Sequence, residues 1–355
     1  MTAPPDMPIP SRALVIKLGH IGDVLVSTPV FTALKEAYPG LSTTALVEEG
    51  TQAMLLNNPC VDQVLTLSRP ESAWAAACSN LRLLASLRRG RFDLAIDLSG
   101  GDRGAFLTFM SGAGRRVGFQ PRKPHVRGRA FHLLADPKGT QNHQVETLLR
   151  PVRLLGIEPR DQALKLHPPP EAVKRAEELM AEHGLSAGGY ALVHPTSRWM
   201  FKTWTPEGNA QVIRHLLRRG LKVVLSCAPQ SREMDFLALV KHCLGDPPGL
   251  VDLGGRLDLS LLAALIARAR VFFGVDSAPI HMAAALGVPV AVLFGPSGEK
   301  MWGPWRVASE VLTLPLDCRP CGRDGCQGSK LSQCLLDMEP AAVCQALDRL
   351  LVRTS

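Results

Sequence analysis

The sequence predicts an α/β protein made of two tandem doubly wound units, each a parallel sheet covered by helices on both faces. Three observations lead there. Short, nearly continuous apolar runs alternate with amphipathic helical patterns; a Pro/Gly-rich stretch interrupts the alternation; and a complete second series then follows. At 355 residues the chain is long enough for two ordinary cores.

In order, "RALVIKLG" reads as a strand and "TPVFTALKEAYPG" as a helix, followed by strands in "LSTTALVEE" and "VDQVLTLS". "AAACSNLRLLASLRRG" is the next helix and leads into the strand "FDLAIDLSG". A helix-poor region follows, and "KLHPPPEAV" at 165–173 is the linker candidate, giving domains 1–167 and 168–355. The second series runs helix "EAVKRAEELMAEHG", strand "YALVHPTS", helix "TPEGNAQVIRHLLRRG" and strand "KVVLSC". It continues through "DFLALVKHCLG", "GLVDLGG", "LSLLAALIARA", "VFFGVDS", "HMAAALG" and "VPVAVLFGP". Ligands of such folds bind beyond the carboxyl ends of strands, so the residues just after each strand carry the functional weight.

The balance of 46% hydrophobic and 20% charged residues is that of a globular protein. A net charge of +8 favours an anionic partner. No apolar run approaches the roughly 18 residues that span a bilayer. The Pro-rich start "MTAPPDMPIPSRA" lacks the apolar centre of a secretory signal, so a loose tail on a cytoplasmic protein is expected. Cys60, Cys78, Cys227, Cys243 and Cys344 lie in apolar contexts typical of buried thiols.

Five segments could carry chemistry. In "KLGHIGD", Gly19 and Gly22 permit a sharp turn, and Asp23 is either a helix cap or a general base. No Walker loop or dinucleotide fingerprint is present. In "HPTSRWMFKTW", Thr196, Ser197 and the cations Arg198 and Lys202 suit a phosphate, or form a solvated loop over Trp199 and Trp204. In "GVDSAPIHMAAALG", Asp276 and Ser277 precede a helix carrying Ala278 and His281. Its free amides are either a phosphate site or an ordinary capped end. In "RRVGFQPRKPHVRGR", Arg115, Arg116, Arg122, Lys123, Arg127 and Arg129 form an acid-free run. That run suits an anionic acceptor or a solvated face; with Phe119 its only stacking aromatic, it does not suit nucleic acid. Cys318, Cys321, Cys326 and Cys334 follow a C-x2-C-x4-C-x7-C spacing that admits zinc, an iron–sulfur cluster or plain thiols.

Together, "IKLGHIGDVLVSTPV", "VHPTSRWMFKTW" and "GVDSAPIHMAAALGVPVAVLFGP" resemble, in order and over residues 12–345, glycosyltransferase family 9, the ADP-heptose:lipopolysaccharide heptosyltransferases. The form of the first two leans toward the type that adds the third, branching heptose. The resemblance implies a GT-B fold, two Rossmann-like domains facing across a cleft, with acceptor on the first and ADP-heptose on the second. It implies inversion at the anomeric carbon, with no metal or cofactor. Asp23 falls on the family's general base, and Thr196, Ser197, Lys202, Asp276, Ser277, Ala278 and His281 fall on its donor-binding segments. Glu233 corresponds loosely to an acidic donor contact. A phosphorylated, membrane-anchored inner-core acceptor would meet Arg115, Arg116 and Arg122, with weak attachment to the inner leaflet. Rival readings are a GT-B transferase of another nucleotide sugar or acceptor, and a non-catalytic nucleotide- or polyanion-binding protein.

Overall fold

Five consecutive buried residues, Ala13 to Lys17, make the first strand a fully interior one, with no polar face to present to water. In the computed structural model, which describes residues 9–68, 72–121, 126–137 and 143–354, it is β1 (Arg12–Lys17). It is followed by α1 (Ile21–Leu25), α2 (Thr28–Ala37), β2 (Ser42–Glu48), β3 (Gln63–Leu67), α3 (Ala73–Arg89), β4 (Leu94–Asp97), α4 (Asp102–Met110), β5 (Arg115–Phe119), β6 (Leu133–Ala135) and α5 (Gln144–Arg153). These lie in one compact unit, Met1–His167.

The strands are parallel and ordered β3-β2-β1-β4-β5-β6. The chain builds outward from β1 through β3, then crosses to the other side of β1 to lay down β4. Right-handed crossovers in opposite directions place the connecting helices on opposite faces. Accordingly α2 packs with α5, and α3 with α4. The reversal of strand order lies between β1 and β4, where doubly wound sheets open their crevice. Leu14, Ile16, Leu46, Leu87 and Ala95 pack beneath it as one apolar cluster.

The second unit, Pro168–Ser355, begins with α6 (Pro170–Glu182), β7 (Tyr190–His194), α7 (Pro206–Arg218), β8 (Lys222–Leu225), α8 (Ser231–Leu244) and β9 (Leu250–Asp252). It continues with α9 (Leu259–Ile266), β10 (Val271–Val275), α10 (Ala278–Ala285), β11 (Val290–Leu293), α11 (Glu299–Trp302), β12 (Ser309–Leu312), α12 (Gln333–Leu336) and α13 (Pro340–Arg353). Its parallel order, β12-β11-β10-β7-β8-β9, reverses between β7 and β10. Val193, Trp204, Phe273 and Leu293 belong to its core. Gly274 lets β10 lie against β7, since a side chain there would strike the His194 carbonyl.

The region read as helix-poor from sequence holds α4, β5, β6 and α5. α4 is short and contains Gly104, α5 carries Pro151, and β5 opens with two arginines, so none shows a clean period. Among the described residues no helix is long and apolar enough to cross a membrane. Residues 1–8 of the N-terminal stretch lie outside the described residues.

Candidate functional site

The first unit's switch point collects four polar side chains. Lys17 ends β1, and its ammonium lies 3.2 Å from Asp23 Oδ1. Asp23 sits in the first turn of α1, where its Oδ2 accepts from the His20 backbone N–H at 3.1 Å. The carboxylate therefore closes a capping box as well as pairing with the lysine. Gly19 takes a φ of +152° and approaches the Asp23 side chain closely, so a side chain at 19 would be strained and crowded. Asp97 ends β4 beside β1, with Ile16 as its register partner. Its Oδ1 accepts from Ser99 N at 2.8 Å, and the Ser99 hydroxyl accepts from Leu18 N at 2.8 Å, tying the two strand ends together. Burial pushes the Asp97 carboxyl up to about 6, against the opposing pull of Ser99 and of Lys17. Asp23, by contrast, keeps 22% of its side chain exposed, so this carboxylate is reachable from solvent.

The second unit's switch point is built the same way. Thr196 and Ser197 follow β7 and are buried. The Thr196 hydroxyl donates to Glu233 Oε2 at 2.6 Å, and Glu233, in the first turn of α8, is itself 4% exposed. Lys202, on a short helical turn after β7, pairs with Asp276 Oδ2 at 2.6 Å and lies 5.0 Å from the Trp199 ring centre. Asp276 follows β10, so this pair clips the two strand-end loops across the switch point. Ser277 is the N-cap residue of α10, but its hydroxyl donates back to the Val275 carbonyl at 3.1 Å and leaves the helix amides uncapped by side chain. Ala278 opens the helix, and His281 is buried against the tilted ring of Trp302 at 6.3 Å. Trp204 is buried under this loop, whereas Trp199 is 41% exposed. His194 Nδ1 lies 2.9 Å from the Ser226 hydroxyl, and burial holds the ring down to about 4, so it is neutral at pH 7.

A sequence model described as "Glycosyltransferase family 9 (heptosyltransferase)" matches residues 80–332. The chain belongs to glycosyltransferase family 9. Lipopolysaccharide heptosyltransferase 3 of Escherichia coli K12 is 31% identical over 288 residues, covering 80% of this chain and 82% of that protein. The crystal structure of a family 9 glycosyltransferase from Veillonella parvula superposes with a TM-score of 0.81 at 23% identity, covering 97% of each chain. ADP-heptose lps heptosyltransferase II of Escherichia coli superposes at 0.77 and 20% identity, covering 96% of this chain and 99% of that one. The fold is therefore GT-B, two Rossmann-like units, and the protein is a glycosyltransferase.

In this family 9 glycosyltransferase, two arginines expected at the acceptor lie away from Asp23. Arg115 and Arg116 start β5, level with Leu94 and Ala95 at the amino ends of the strands, the edge opposite to Asp23. Arg116 is also spent internally: Nε donates to the Ala130 carbonyl at 2.7 Å and Nη1 to that of Ala113 at 2.9 Å. Register decided this, and a charge run carries no register. Arg122 and Lys123 lie outside the described residues.

Cys318, Cys321 and Cys326 are exposed, Cys334 is buried, and no disulfide joins them. Among the described residues no three His, Cys, Asp or Glu side chains are grouped as a metal site. Of the other cysteines only Cys227 is buried; Cys60, Cys78, Cys243 and Cys344 are half-buried. Lys17, Asp97 and Ser99 escaped the sequence reading. For Lys17 and Asp97 the signal was a charged residue closing an otherwise apolar strand, in "LVIK" and "LAID"; Ser99 left none.

Proposed function

We propose that this glycosyltransferase moves a heptose from ADP-heptose onto an existing heptose of the lipopolysaccharide inner core, inverting the anomeric carbon. The first unit takes the acceptor and the second the nucleotide sugar. The observation that carries the reading is the chemistry at the two switch points. One presents an accessible carboxylate held by an ammonium and an amide, and the other a lysine–aspartate pair beside an uncapped helix N-terminus. The names of the 31%-identical heptosyltransferase 3 and of the ADP-heptose-dependent structural neighbour support the donor and acceptor chosen.

In the reaction, the acceptor hydroxyl attacks the anomeric carbon and its proton passes to Asp23. The bond from that carbon to the diphosphate breaks with its electron pair, and ADP leaves. Lys202 and the amides of Ser277 and Ala278 offset the charge that builds on the diphosphate. Binding the diphosphate means that Lys202 trades part of its pairing with Asp276 for the ligand, which turns Asp276 toward the sugar hydroxyls. Thr196 and Ser197 line the same loop, Glu233 fixes Thr196, and His281 supports the helix from within. Lys17 and His20 orient the base. Arg103, in the first turn of α4 on the carboxyl side of the sheet and 3.7 Å from Glu48, is a described cation suited to an anionic acceptor. Such an acceptor is lipid-anchored, so work at the cytoplasmic face of the inner membrane belongs to this reading.

Donor selectivity tests it. The purified enzyme should transfer from ADP-heptose to a core acceptor that lacks the branching heptose, and show no transfer from UDP-glucose or GDP-mannose. Turnover of another nucleotide sugar with ADP-heptose inert would end the proposal.

A further inference from the structure

The outward faces of α3 and α4 break the usual pattern of a soluble surface. Both helices already bury an inner stripe, with Leu83 and Leu87 on α3 and Ala105 and Leu107 on α4. Their outer sides should then be polar. Instead Trp74 is 80% exposed and Leu81, two turns on, 67%, while Phe106 and Phe109 are 54% and 53% exposed on α4. The two helices pack against each other, so their solvent-facing sides adjoin on the first unit.

The charge around that face is mostly of one sign. Residues 72–92 hold four arginines and no acid, and residues 102–119 hold Arg103, Arg115 and Arg116 against one acid, Asp102. Arg82, Arg88 and Arg89 are exposed on α3 and make no ion pair among the described residues. The Arg116 guanidinium lies over the Phe109 ring at 5.7 Å, which keeps a cation against the apolar patch. Apolar anchors with unpaired cations beside them match the interface of an anionic bilayer, where aromatic rings sit at headgroup depth and arginines meet phosphate. A second copy of the chain fits badly, because two like-charged faces would repel.

We propose that the outer face of α3 and α4 docks the protein on an anionic phospholipid bilayer through Trp74, Leu81, Phe106 and Phe109. This rests on the reading that the acceptor is lipid-anchored, and it explains how a chain with no spanning helix among its described residues reaches such a substrate.

Co-sedimentation with vesicles of phosphatidylethanolamine and phosphatidylglycerol, against vesicles of phosphatidylcholine alone, tests it. The full chain should bind the anionic vesicles, and added salt should weaken the binding. Trp74→Ser combined with Leu81→Gln should lower the partition by about tenfold or more with an unchanged circular dichroism spectrum. The same variant should transfer normally to a deacylated, water-soluble acceptor. Equal partition of variant and wild type, no wild-type binding, or sedimentation without lipid would overturn the docking surface. So would loss of soluble transfer in the variant alone. Absence of soluble transfer in the wild type would count against the proposed reaction, and the vesicle result would stand apart from it.

Discussion

Two carboxylates stand at the first switch point, and burial treats them differently. Asp97 is 1% exposed, and its carboxyl is pushed from 3.8 to about 6. Because the folded value exceeds the unfolded one, the native state holds the proton more tightly between those limits. Stability that this group contributes is therefore full below about pH 4 and is lost as pH rises through 6, by about 3 kcal/mol. Asp97→Asn keeps the acceptor for Ser99 N and removes the titration. The difference in urea-unfolding free energy between variant and wild type should grow in the variant's favour from pH 4 to 7. Parallel curves would show that Asp97 is not buried as an acid. The Gly22-Asp23 turn was legible in sequence because glycine spacing and an acid after a strand form a local pattern. Asp97 was not, since its meaning depends on β4 lying beside β1, and adjacency of strands far apart in sequence leaves no local trace.

At the scale of elements, Lys202 and Asp276 join the loops after β7 and β10. Removing the ammonium leaves Asp276, with 8% of its side chain exposed, as a buried charge without its partner. Lys202→Met should lose on the order of 2 kcal/mol of stability, less than the several expected for a fully dry pair. Adding Asp276→Asn should restore most of that loss, whereas affinity for ADP stays weak in both variants. Recovery of ADP binding in the double variant would place the diphosphate elsewhere. Thermal unfolding and calorimetric titration with ADP measure the two effects separately.

The elements of the second unit were mostly readable because each strand is an almost unbroken apolar run and each helix a clear amphipath. β12 and α13 were overlooked there. In the first unit the helix break at Val26 and Ser27 is local, where the Ser27 hydroxyl turns back to the Val24 carbonyl. α4 is held by tertiary contact: Gly104 allows it to press on the Asp97 carboxylate, and a side chain there would fall well inside van der Waals distance. That is a consequence of packing, invisible to a periodicity count. The arginines of β5 illustrate the converse, for a run of charge carries no register, and only pairing with β4 puts Arg115 and Arg116 at the amino edge.

At the scale of the molecule, each unit repeats one physical scheme: a strand order that reverses, a crevice at the reversal, and charged side chains at or just after the ends of the apolar strands beside it. Most of the net charge of +8 lies in the first unit, whose arginine-rich segments the proposed bilayer would meet. A strain lacking this protein should make a lipopolysaccharide core short of one branching heptose, read by mass spectrometry. An intact core would remove the acceptor assignment.

The central claim is that Asp23 is the base for a sugar whose diphosphate the second unit holds. Single-turnover heptose transfer by Asp23→Asn, measured together with ADP affinity, tests this most directly. Transfer should fall by at least about a hundredfold while ADP binds as in the wild type. Transfer at the wild-type rate would contradict it.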